Sequence, residues 1–135
     1  MRLVLADALG DEIAKAAKAA FPRECCGLIE GVEDEGGFQA TALYPVRNLA
    51  ADAGRFEIDP AGRIAAAKAA RAKGRAIVGC YHSHPNGIAQ PSPEDFSGAE
   101  EESFLWLIAA TDGTEAWLAG FVYRRPDGFE AITLV

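Results

Sequence analysis

Arg75-Ala76-Ile77-Val78-Gly79-Cys80-Tyr81-His82-Ser83-His84-Pro85 begins as an apolar run and ends on two histidines. The continuous apolar part predicts a buried strand from Arg75 to His82, the kind found in a sheet covered on both faces. Side chains alternate along a strand, so His82 and His84 emerge on the same face. They are the only two histidines of the chain, placed at the C-terminal end of the strand, where two imidazoles can hold one metal ion.

Immediately upstream, a helix is punctuated at both ends. Asp59 can cap it, Pro60 suits its first position, and Gly74 follows the last basic turn of Arg71 and Lys73. Its alanine-rich body allows close approach to a sheet. Further upstream, Ile13, Ala16, Ala17 and Ala20 recur at helical spacing within Leu9 to Phe21, before Pro22. Cys25 to Gly31 and Phe38 to Val46 flank the Glu33-Asp34-Glu35-Gly36-Gly37 turn and read as an antiparallel hairpin. Downstream, Ser103 to Ala110 reads as a buried strand, Asp112-Gly113 as a turn into Glu115 to Tyr123, and Phe129 to Val135 as a last strand. Trp106 and Trp117 fall on these strands and are expected in the core or on a sheet face. Helices and strands alternate, so the expected class is α/β or α+β, with residues 1–135 as one domain.

Composition narrows the function. A net charge of -7 argues against a grip on phosphate backbones, so no nucleic-acid partner is expected. No stretch approaches the length of a membrane span, and Met1 to Gly10 lacks a basic segment followed by a long apolar one, so no membrane partner and a cytoplasmic location are expected. Cys25, Cys26 and Cys80 are an odd number, and sequence neighbours make poor disulfide partners. Reduced thiols packed in the core are expected, although Cys80 shares a strand face with His82 and thiolate is a good zinc ligand.

Beyond the histidines, Ser92 and Asp95 complete the pattern His-x-His-x7-Ser-x2-Asp. Ser92-Pro93-Glu94-Asp95 is by itself an ideal helix start: serine at the cap, proline first and an acid third. A rigid first turn also gives Asp95 a fixed direction, so capping and metal binding are compatible. Two nitrogens and one carboxylate would leave a fourth tetrahedral position open, as catalytic zinc requires. A hydrolase further needs a proton carrier. Among the glutamates, Glu24 stands at the mouth of the apolar strand Cys25 to Gly31; Glu30, Glu33 and Glu35 are expected at a solvated turn, and Glu100, Glu101 and Glu102 on an exposed helical face.

Pro22-Arg23-Glu24-Cys25-Cys26-Gly27-Leu28, Val46-Arg47-Asn48, Phe56-Glu57-Ile58-Asp59-Pro60 and His82-Ser83-His84-Pro85 with Ser92 and Asp95 together resemble the JAMM (MPN-plus, Mov34) metalloprotease family, in its small stand-alone prokaryotic branch. The resemblance implies the curved mixed sheet flanked by helices of the cytidine-deaminase-like class. It implies one Zn2+ per chain on His82, His84 and Asp95, with Glu24 moving the proton and Ser92 donating to the oxyanion. The implied substrate is a ubiquitin-like or sulfur-carrier protein cut at its Gly-Gly tail. Little room for an insertion lies between Asp95 and Phe104, which speaks against selectivity for one polyubiquitin linkage. The sequence leaves the oligomeric state open. The rival reading is a non-catalytic scaffold of the same fold, which degraded ligands would favour; none is degraded here. A zinc deaminase is disfavoured because Cys25-Cys26 lacks the Cys-x-x-Cys spacing.

Overall fold

The computed structural model describes residues 1–135, in the order β1 (Arg2–Val4), α1 (Asp7–Ala20), β2 (Cys26–Asp34), β3 (Gly37–Val46), α2 (Pro60–Ala72), β4 (Ala76–His84), α3 (Pro93–Gly98), β5 (Leu105–Thr111), β6 (Ala116–Arg124) and β7 (Gly128–Leu134). β4 is the central strand. It pairs antiparallel with β2 and parallel with β5, and it runs past the expected end at His82 to include His84. The parallel pairing requires a crossover, and the segment that makes it carries α3.

The sheet is mixed and so strongly curved that it closes, in the order β1-β3-β2-β4-β5-β6-β7. Closure depends on β1, which pairs in parallel with both β3 and β7. Its 3 residues are too few for periodicity to reveal, so β1 is not among the expected strands. The junction leaves no room for a side chain: a Cβ on Gly37 would lie 2.0 Å from the Arg2 carbonyl oxygen, and the residue has φ +136°. Only glycine tolerates both conditions.

Alternation along β4 and β5 builds two cores. Tyr81, Leu105, Leu107 and Ala109 face α1 and pack with its buried Ile13 and Ala17. Cys80 and Trp106 point the other way, with Leu28, Phe104 and Ala66 of α2. Helix α2 is capped as expected: Asp59 accepts the Ala61 N–H at 3.0 Å, and Gly74 closes the far end with φ +71°. Gly62 brings α2 against β3; a Cβ there would meet Val46 at 2.9 Å. None of the helices is long and apolar enough to cross a membrane.

Two expectations need correction. Glu30 is not at a solvated turn: β2 extends to Asp34, and Glu30 is 2% exposed. Its carboxylate accepts from Tyr44 Oη at 2.8 Å and Thr41 Oγ1 at 2.5 Å, and it pairs with Lys73 Nζ at 2.8 Å. Burial alone would raise its pKa, but these partners outweigh burial and lower it. Glu100, Glu101 and Glu102 are exposed but not helical, since α3 ends at Gly98 and bends and turns lead to β5.

Candidate metal centre

His82 and His84 leave the end of β4 on the α2 face, and both are buried. Their Nε2 atoms lie 3.0 Å apart. Asp95 Oδ2 lies 3.2 Å from His82 Nε2 and 3.0 Å from His84 Nε2. Three donor atoms therefore form a nearly equilateral triangle. Ligands held at ~2.0–2.1 Å around tetrahedral zinc sit about 3.3 Å from one another, so the triangle needs only slight expansion.

Asp95 reaches the triangle because α3 starts where it does. Ser92 Oγ accepts the Asp95 N–H at 3.1 Å, and Ser92 N–H donates back to Asp95 Oδ2 at 2.9 Å, a complete capping box. The rigid turn fixes Asp95 while its oxygen keeps a lone pair directed at the histidines. Ser92 Oγ acts only as an acceptor in the box, so its own proton is not committed to any protein group. Capping and hydrogen-bond donation to a ligand use different parts of one hydroxyl.

The histidines are oriented differently. His84 Nδ1 lies 2.8 Å from the Ile88 carbonyl oxygen, which can only accept, so Nδ1 carries the proton and Nε2 presents a lone pair. His82 Nδ1 is buried without a partner, and its ring stacks on Phe56 at 4.2 Å with Trp106 edge-on at 5.7 Å. Burial lowers the His82 pKa despite Asp95 beside it and keeps the ring neutral. For His84, burial is outweighed by the bonds to Asp95 and the Ile88 carbonyl, and its pKa is raised. Asp95 is held well below the usual carboxylate range: burial opposes this, but His82, His84 and the Ser92 N–H prevail.

Glu24 arrives from two residues before β2, with its carboxylate and the imidazole nitrogens of His82 and His84 within 4.8 Å of one another. Its Oε1 is buried and unpartnered. Burial pushes its pKa up to about 7, with His84 pulling it down and Asp95 and Glu94 adding to the rise. A buried acceptor with nothing to accept from, beside three converging donors, suits a carboxylate that serves a water on a metal. The donor set fits one Zn2+ with an open position. Glu24, Ser92 and Asp95 border a groove of about 900 Å³, walled by Gly54 to Ile58 on one side and the first turn of α3 on the other.

All five expected residues come together here, and no cysteine joins them. Cys80 packs with Leu28, Ala66 and Trp106, and burial pushes its thiol far up. Cys26 is buried, its thiol pushed up to about 12 by burial. Trp106 is a core residue that also lines the groove, whereas Trp117 lies half exposed on a sheet face. Asn48, Phe56 and Ile88 also support the site, and none of the three was expected to. The Asn48–Ile58 bridge that returns Phe56 to the site joins the ends of an irregular loop, for which a sequence carries no periodic signal.

The chain is 36% identical over 93 residues to the desampylase of Haloferax volcanii, a match covering 68% of this chain and 66% of that protein. It is 36% identical over 77 residues to a Thermus thermophilus protein described as "Probable TtuB-protein conjugate cleaving protease", covering 57% of this chain and 47% of the other. The chain thus spans less than two thirds of the length of either relative. A protein from Desulfitobacterium hafniense solved in solution superimposes with a TM-score of 0.86 at 28% identity, covering 100% of this chain and 92% of that one. Residues 7–120 match the family described as prokaryotic homologs of the JAB domain. With this match spanning both histidines, Asp95, Ser92 and Glu24, the chain belongs to the prokaryotic JAB-domain family.

Proposed function

We propose that residues 1–135 act as one zinc-dependent peptidase or isopeptidase domain, hydrolysing the bond after the Gly-Gly tail of a ubiquitin-like or sulfur-carrier protein. The observation that carries this reading is the triangle of His82 Nε2, His84 Nε2 and Asp95 Oδ2, with edges of 3.0–3.2 Å, beside the unpartnered Glu24 carboxylate. The description of the Thermus relative as cleaving protein conjugates supports the substrate class.

His82, His84 and Asp95 would hold the zinc, which when bound supplies a Lewis acid for the attacking water and the scissile carbonyl. Glu24 then does the proton work. Its carboxylate takes the proton of the attacking water and returns it to the departing amine, a task matched to a group whose pKa burial has pushed up to about 7. Ser92 donates its uncommitted O–H to the oxyanion that develops on the carbonyl. The groove beside Glu24 and Ser92 receives the extended tail, which its two small terminal residues allow close to the metal.

The test is to incubate the zinc-loaded protein with a conjugate made through such a tail and identify the products by mass spectrometry. Cleavage after the second glycine, lost with a chelator and in Glu24→Gln, is expected. An intact conjugate, or equal cleavage by the variant, overturns the reading.

A further inference from the structure

Metal-binding histidines are usually oriented through their second ring nitrogen. His84 follows this rule through the Ile88 carbonyl, but His82 Nδ1 is buried and bonds to nothing. On that side the His82 ring is packed by aromatic rings instead, with Phe56 stacked at 4.2 Å and an interplanar angle of 18° and Trp106 edge-on at 5.7 Å. Phe56 belongs to an irregular loop, so something must hold the loop.

Asn48 does so with one side chain. Its Nδ2 donates to the Arg55 carbonyl at 3.0 Å, and its Oδ1 accepts the Glu57 N–H at 2.9 Å, so both neighbours of Phe56 are bound to one amide. The same Nδ2 donates to the Glu24 carbonyl at 3.0 Å, and Oδ1 accepts the Ala50 N–H at 2.9 Å. All four hydrogen-bonding positions of the amide are used. The assignment of its O and N is unambiguous, since both Nδ2 partners are carbonyls and both Oδ1 partners are N–H groups. Arg23 adds an outer tie through Nη2 to the Ala50 carbonyl at 2.8 Å.

We infer that Asn48 is a positioning residue: one amide clamps the backbone of Glu24 to the backbone on both sides of Phe56, and so aligns the proton carrier and the His82 ring with each other. This rests on the reading of Glu24 and His82 as proton carrier and zinc ligand. Asn48 touches neither metal nor substrate.

The test is a double-variant cycle on the full chain, reading zinc affinity by competition with a chromophoric chelator. Asn48→Ala and Phe56→Ala should each weaken zinc binding about tenfold, the range for residues that orient ligands. Because both act through one contact, the double variant should be no more than about threefold weaker than either single one. Losses that multiply, or wild-type affinity in Asn48→Ala, overturn the inference. Asn48→Asp keeps the acceptors and loses both donors; at saturating zinc its kcat on the Gly-Gly conjugate should fall at least about tenfold with KM within about threefold. An unchanged kcat overturns the Glu24 half. If Asn48→Ala does not fold, Asn48→Asp replaces it in the cycle under the same criteria. The zinc cycle needs no substrate, so it is decided separately from the choice of substrate.

Discussion

Ser92→Ala removes an oxygen whose two halves do different work, and its effects should separate. The lone pair of Oγ accepts the Asp95 N–H at 3.1 Å. Losing such a cap costs about 1 kcal/mol. With an unfolding entropy of roughly 2.1 cal/mol/K per residue, a chain of 135 residues should then melt about 3–4 °C lower. The proton of Oγ is the proposed oxyanion donor, and removing one such donor lowers kcat by about 10²–10³-fold. The backbone half of the box survives, because Ser92 N–H still donates to Asp95 Oδ2 at 2.9 Å, so the ligand keeps its direction. Calorimetry and single-turnover cleavage at saturating zinc measure the two effects. Ser92→Asp provides the separation: its carboxylate can cap but has no proton to give. It should melt close to the wild type while cleaving as slowly as Ser92→Ala. A Ser92→Ala enzyme with kcat within about threefold of wild type would refute the donor role, and an unchanged melting temperature would refute the cap.

Glu24→Gln should lower kcat by about 10²–10⁴-fold while zinc content, read by elemental analysis, stays the same. The base form of Glu24 appears as pH rises, so wild-type kcat/KM should climb through an apparent pKa at or below about 7, since a nearby cation lowers a carboxylate's pKa; the limb should be absent from the variant. Protons compete with zinc for His84, whose pKa is raised by Asp95 and the Ile88 carbonyl, so zinc affinity measured by chelator competition should fall as the pH is lowered. Removing zinc from protein that holds it at about a hundredfold excess over Kd should cost about 2.7 kcal/mol of stability by denaturant titration. Glu30→Ala, far from the metal, should cost about 2 kcal/mol by leaving Thr41 and Tyr44 without their acceptor. Because the folded pKa of Glu30 lies below the ordinary 4.5, its contribution is present above that value and lost as the pH falls further; the variant should lack this acid dependence.

What could be read along the chain was local. Alternation put His82 and His84 on one face, the Asp59-Pro60 and Ser92-Pro93 signals started helices where they occur, and the Glu35-Gly36 turn joined β2 and β3. These features depend on neighbours two to four residues away, within reach of strand and helix periodicity. Glu30 shows where that reach ends: beside an acidic turn it reads as solvated, yet Lys73, Thr41 and Tyr44 arrive from α2's end and from β3 to bury it.

The order of residues is enough to set the donor types, their placement on a strand end and a helix start, and the family resemblance. That the donors meet is a result of strand pairing across the sheet. β5 had to pair in parallel with β4, so that the crossover carries Asp95 back to 3.0 Å from His84, and β2 had to pair with β4, Cys26 opposite His82, so that Glu24 enters the site. The tertiary structure also decides that an amide at Asn48 clamps Phe56 and Glu24 together. Ligand geometry depends on strand register and loop closure, and these follow from packing two cores at once rather than from any local run of residues.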